Sequence, residues 1–200
     1  MERKIVGWRI PFRATTGDLE IVRTDAGLGH RRETILRHAR LTVEDGPAVL
    51  ASGLAVSDFI TYRRGDGVTI VPFVVATGRL IMQRKVKTAA GHAFYSFPGG
   101  MLRAGDDPAI EAARELFEET GQVADRLIRL GLVHHRPENS IDGEYLFLAF
   151  IEDLREFRGD DEEGAFLESV SRAEVENLLV WQSSELTSLV AWERAKRYLT

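Results

Sequence analysis

The stretch from Gly100 to Gly121, GMLRAGDDPAIEAARELFEETG, limits this chain more than any other part of it. It reads as a glycine-rich turn feeding one short helix. Asp107 has the short acceptor side chain that caps a helix start, Pro108 suits the first helical position, and Gly121 can close the helix. At about 100° per residue, Ala109, Ala112, Ala113, Leu116, Phe117 and Thr120 fall on one side. Glu111, Glu115, Glu118 and Glu119 fall on the other. Carboxylates crowded on one helix face repel each other at neutral pH, and a hard divalent cation relieves that repulsion. An acidic helix face can also be merely solvated. The defined spacing of the glycines, Arg114 and the carboxylates favours a metal site.

That run resembles the signature of the Nudix hydrolases: Gly, five residues, Glu, seven residues, then Arg-Glu-aliphatic-any-Glu-Glu-any-Gly-aliphatic. Gly100, Arg114, Glu115, Leu116, Glu118, Glu119 and Gly121 match it. Asp106 stands where the family has Glu, and Gln122 where it has an aliphatic residue, with Val123 next in line. The resemblance implies an α/β fold, an α/β/α sandwich with a mixed sheet over residues 46–200. It also implies that residues 1–45 form a strand-rich extension involved in a homodimer. Glu115, Glu118 and Glu119, with the carbonyl of Gly99, would hold Mg²⁺, for which Mn²⁺ could substitute. Arg114 lies beside these carboxylates and would brace them. The family's general base is a helix carboxylate in some members and a loop carboxylate in others. Here the loop reading points to Glu162 and Glu163, with Asp161, in GDDEEG, a run that reads equally as a solvated loop.

Substrate recognition lies outside that signature. Pro137, Glu144 and the apolar strand after them resemble the Pro-containing segment of the ADP-ribose and nucleotide-sugar pyrophosphatases, although Glu138 replaces the usual Gly. The run RLIMQRKVK resembles the family's strand ending in Gln-any-Arg. Gln83 matches, Lys85 takes the arginine position, and Arg84 is adjacent. Lysine holds phosphate as a point charge without the bidentate fork of arginine. Arg84, Lys85, Pro137 and Glu144 are therefore the expected substrate contacts. His134 and His135 are adjacent on a strand end and should point to opposite sides, one packed and one exposed, with no chemical role.

These features imply Mg²⁺-dependent cleavage of the pyrophosphate bond of a nucleoside diphosphate linked to another group. ADP-ribose, giving AMP and ribose 5-phosphate, is the leading expectation. Another sugar nucleotide such as GDP-mannose, or a nucleoside triphosphate, is the alternative within the class. A non-catalytic Nudix-fold nucleotide sensor is the alternative outside it.

Composition sets the remaining bounds. A net charge of −5 leaves no basic footprint for nucleic acid. The absence of cysteine removes disulfides, thiolate metal sites and thiol nucleophiles. No apolar run approaches the length needed to span a membrane, and the first residues, MERKIVGWRI, lack the apolar segment of a signal peptide. A small-molecule partner, no membrane and a cytoplasmic location are the expectations. Strands are expected near 19–22, 60–62, 68–75, 79–83, 94–97, 128–134 and 145–151. Helices should start at the capping box Ser171-Arg172-Ala173-Glu174 and near Ser184.

Overall fold

A computed structural model describes residues 33–38, 41–45, 48–49, 55–56, 61–87, 89–103, 105–137, 140, 142–157 and 165–199. The expected strand at 19–22 and the acidic run holding Asp161, Glu162 and Glu163 lie outside them. The chain divides into two compact units, residues 1–63 and 64–200. In the first, β1 (Glu33–His38), β2 (Leu41–Asp45) and β5 (Thr61–Arg63) form an antiparallel sheet, while β3 (Ala48–Val49) pairs with β4 (Ala55–Val56).

The second unit is a mixed sheet with helices on both faces. Its strands are β6 (Gly67–Val74), β7 (Arg79–Lys87), β8 (His92–Ser96), β9 (Gly99–Met101), β10 (Arg126–His134), β11 (Gly143–Ile151) and β12 (Phe166–Val170). Its helices are α1 (Pro108–Thr120), α2 (Arg172–Trp181) and α3 (Leu186–Ala195), followed by a single 3-10 turn. The strand order is β10-β11-β6-β7-β12, and only β6 and β11 run parallel. Here β6 is buried along its whole length, as its apolar run, interrupted by Thr69, implies.

The centre of the sheet forks. Strands β6 and β7 pair only at Phe73–Leu80 and Val74–Arg79. Beyond that point they part, β9 joins β6 at residues 67–69, and β8 joins β7 at residues 83–87. Pro72, which has no N–H for a ladder, falls between the stretch of β6 that meets β9 and the stretch that meets β7. The fork is the structural origin of the site.

Alternation along the central strands separates two cores. Val71, Phe73, Leu146 and Leu148 pack with Ala191 and Trp192 of α3 and with Val175 and Leu179 of α2. Val68, Ile70, Phe147 and Ala149 pack with Ala112 and Leu116 of α1. Full burial of a side chain such as Leu116 stabilises the fold by about 1.5–3 kcal/mol.

Several expectations change. Strand β7 continues past Gln83 to Lys87, and β12 appears where no strand was expected. On α1, Ala113 and Phe117 are exposed while Glu111 is buried. The helix is rotated from the expected apolar arc because its Glu115–Glu119 edge lies along β9, against Gly100 and Gly99.

Candidate active site

Local rules place α1. Asp107 Oδ1 accepts from the Ala109 N–H at 2.7 Å, Pro108 opens the helix, and Gly121 ends it with a φ of 74°. Only a residue that tolerates the left-handed region closes a helix this way at low cost. The helix then meets β9, whose glycines leave room for its acidic edge. A Cβ on Gly100 would collide with the Glu115 carboxylate, and one on Gly99 with the Val68 carbonyl. Side-chain oxygens can therefore approach backbone directly.

Glu119 Oε2 accepts two hydrogen bonds, from the Gly99 N–H at 2.8 Å and from Gln83 Nε2 at 2.9 Å. Arg114 sits among the other three carboxylates. Its guanidinium donates to Glu111 Oε2 at 3.1 Å and forms closer contacts with Glu111, Glu115 and Glu118. Arg114 thus stands among the carboxylates it was expected to brace.

The electrostatics follow from crowding and depth. Burial pushes the Glu115 carboxyl up to about 7; Arg114 opposes the rise, while Glu119, Glu111 and Glu118 add to it. Burial also raises Glu119, against the pull of the Gly99 N–H, Gln83, Lys85 and Lys87. Glu111 moves down, chiefly because Arg114 hydrogen-bonds it. Arg114 itself is held more firmly protonated by Glu111 and Glu118.

As placed, no three acidic or imidazole groups among the described residues converge with metal-ligand spacing. Arg114 occupies the ground between Glu111, Glu115 and Glu118. The donor chemistry nevertheless fits a hard cation. Three carboxylates share one guanidinium, with Glu119 close by, and burial holds the Glu115 carboxyl up at about 7. A divalent ion would neutralise these crowded, partly buried carboxylates. Gly99 presents its N–H to Glu119.

The expected substrate contacts divide across the sheet. Lys85 shares the Gln83 side of β7 and acts electrostatically on Glu119; Arg84 points the other way and is exposed. Pro137 is exposed in the turn after β10. Glu144 shares the face of Leu146 and Leu148, opposite α1, where Thr69 Oγ1 donates to its Oε1 at 2.7 Å. Burial raises its carboxyl despite Thr69 and the nearby His135. The structure thus does not gather Glu144 with the acidic helix. His134 and His135 are both exposed, correcting the expectation that one is packed; β10 ends at His134 and alternation stops there. Two residues named in the sequence without a role of their own at the site are Glu111, the buried anchor of Arg114, and Gln83, which orients Glu119. The Gln-any-Arg resemblance pointed at Gln83, but only as a marker for the position two residues on.

Comparison with known proteins adds three findings. A family model described as the NUDIX domain matches residues 63–191. An ADP-ribose pyrophosphatase of Bacillus subtilis (strain 168) is 29% identical over 99 residues, covering 48% of this chain and 54% of that protein. The chain thus spans about half the length of this curated relative. A crystal structure described as that of an ADP compounds hydrolase matches with a TM-score of 0.70 and 20% identity, covering 84% of this chain and 91% of that one. At that identity the likeness is one of fold.

Proposed function

Because the chain belongs to the NUDIX family, we propose that it is a Mg²⁺-dependent pyrophosphohydrolase acting on a nucleoside diphosphate joined to another group, ADP-ribose first among them. The observation that carries this reading is the seating of the Glu115 and Glu119 carboxylates against the Gly99–Gly100 backbone. That seating leaves acidic oxygens massed at one point of a fork in the sheet. The pyrophosphatase relative supports the substrate class over its matched half.

In this reading Glu115, Glu118 and Glu119 hold the metal, and Mn²⁺ can replace Mg²⁺. The bound ion supplies Lewis acidity toward the phosphate oxygens and lowers the pKa of water. Arg114 keeps Glu115 and Glu118 from repelling each other before the ion arrives. Gln83 and the Gly99 N–H fix one oxygen of Glu119 and so aim the other. Lys85, on the same side of β7, brings positive charge toward the substrate phosphates as a point charge. A carboxylate takes the proton from the attacking water; the helix glutamates and the run with Glu162 and Glu163 are the candidates. Pro137 and Glu144 belong to recognition of the group beyond the diphosphate. Residues 1–45 are proposed to serve a homodimer, acting as the strand-rich extension.

A panel of ADP-ribose, other sugar nucleotides, dinucleotides and nucleoside triphosphates, incubated with Mg²⁺ and resolved by chromatography, tests the proposal. AMP and ribose 5-phosphate from ADP-ribose are expected. Pyrophosphate released from a triphosphate as the fastest reaction would move the enzyme to another substrate class, and no turnover of any compound would favour a sensor.

A further inference from the structure

We propose that Gln122 is a positioning residue, holding the last turn of α1, and with it Glu118 and Glu119, in register for metal binding. The inference rests on the reading of those glutamates as metal ligands. Gln122 stands where the Nudix pattern has an aliphatic side chain, and it is fully buried. Burying an amide costs free energy unless its polar atoms are satisfied. Here they are satisfied by backbone. Nε2 donates to the Thr120 carbonyl at 3.2 Å and to the Arg155 carbonyl at 3.0 Å, and Oε1 accepts from the Arg155 N–H at 2.9 Å. The side chain thus pairs with the Arg155 peptide much as a neighbouring strand would.

The two ends of this clamp differ in what holds them. Thr120 carries one of the carbonyls that a helix end leaves without an internal partner. Arg155 belongs to the segment 152–157 that leaves β11, and that segment is fixed independently. Asp125 Oδ2 accepts from the Glu152 N–H at 2.8 Å, and Phe157 packs on Val74, Ile81 and Ile151. Between the helix end and this segment lies a cavity of about 230 Å³ lined by Phe117, Gly121, Arg155 and Glu156. Packing therefore does not press the segment onto the helix there, and the amide makes the connection. An aliphatic residue at 122 would anchor by burial alone. Gln122 anchors by direction, and it does so two residues past the turn that presents Glu119 to Gly99 and Gln83.

The test is Mn²⁺ binding to the substrate-free full chain, measured by the electron paramagnetic resonance signal of the free ion and paired with thermal unfolding. Gln122→Met keeps the volume and removes the bonds, Gln122→Asn keeps the amide but cannot reach, and Gln122→Glu keeps only the acceptor. Arg155→Ala leaves the peptide partner in place. Loss of a partner behind a metal ligand costs roughly 10–100-fold in affinity. Gln122→Met and Gln122→Asn are expected at the lower end, about tenfold weaker, with Gln122→Glu between them and wild type and Arg155→Ala unchanged. If Gln122→Met does not fold, Gln122→Glu carries the comparison. Gln122 variants that melt earlier yet bind Mn²⁺ like wild type would overturn the proposal. Glu119→Gln separates the two readings: if it weakens Mn²⁺ while the Gln122 variants do not, only the positioning role falls. If it too leaves binding unchanged, the metal assignment falls with it.

Discussion

Glu119 shows how much one carboxylate depends on its surroundings. Its Oε2 is fixed by Gly99 and Gln83, yet burial still pushes its carboxyl up, so the group is held in place at some electrostatic cost. Glu119→Gln and Glu118→Gln should each lower kcat by at least about 100-fold, since loss of the direct metal ligand proposed at each exceeds the 10–100-fold typical of residues behind one. Circular dichroism should show both folded; near-normal turnover in both would exclude their role. Gly100→Ala should also impair turnover, because its new Cβ would occupy the Glu115 carboxylate position. Overpacking of this kind costs about 1–3 kcal/mol, and a variant with wild-type kcat and melting temperature would show that Glu115 can move aside freely. At this scale the sequence exposed the acids but not their partners. Arg114, Glu115, Glu118 and Glu119 sit at diagnostic spacing within one helix, whereas the bond from Gln83 spans 36 positions and depends on the fork between β6 and β7.

Elements with local signals were legible. Asp107, Pro108 and Gly121 bracket α1, and Ser171 with Glu174 opens α2 through a reciprocal capping box: Glu174 Oε2 accepts from the Ser171 N–H and Ser171 Oγ from the Glu174 N–H. Ser171→Ala should destabilise the fold by about 1 kcal/mol, the usual worth of such a cap. Urea unfolding measures this, and kcat should be unchanged because α2 packs on the face away from α1. Elements formed by long-range pairing were not legible. Strand β12 is short, mixed in polarity, and exists because it pairs with Leu80–Arg84 of β7. Strand β9 is three residues, two of them glycine, and only the fork gives it a partner. The rotation of α1 escaped helical-wheel reasoning for the same cause: apolar residues alone do not reveal that a glycine edge lies ready to receive carboxylates.

For the molecule as a whole, the acidic cluster links stability to pH and, on the proposed function, to metal. In the unfolded chain these carboxyls lose their protons near about pH 4.3. The folded chain retains them longer, up to about 7 at Glu115, with Glu119 and Glu144 shifted the same way. Between those values the folded state binds more protons than the unfolded, so these groups make the metal-free protein less stable as pH rises. Glu111 is displaced downward, and its contribution is present above the unfolded value and lost only under stronger acid. Mg²⁺ held at the proposed site would compete with the retained protons and stabilise the folded state. The rise in melting temperature on adding Mg²⁺ should therefore be larger at pH 8 than at pH 5.5. Thermal unfolding at both pH values measures it, and an equal or smaller shift at pH 8 would contradict the charge assignment.

The parallel pairing of β6 with β11 joins Gly67 to Glu144, 77 positions apart, and the intervening chain contains α1 with all of its carboxylates. Closing so long a loop is entropically costly and makes this ladder a slow step in folding. The proposed metal ligands come from α1, but their backbone seat on β9 exists only once β9 lies against β6. On the proposed function, ion binding is then a late event in folding time. Mg²⁺ should leave the refolding rate almost unchanged and slow the unfolding rate in a chevron experiment, so that the cation acts as a lock on the finished sheet and not as a template for building it.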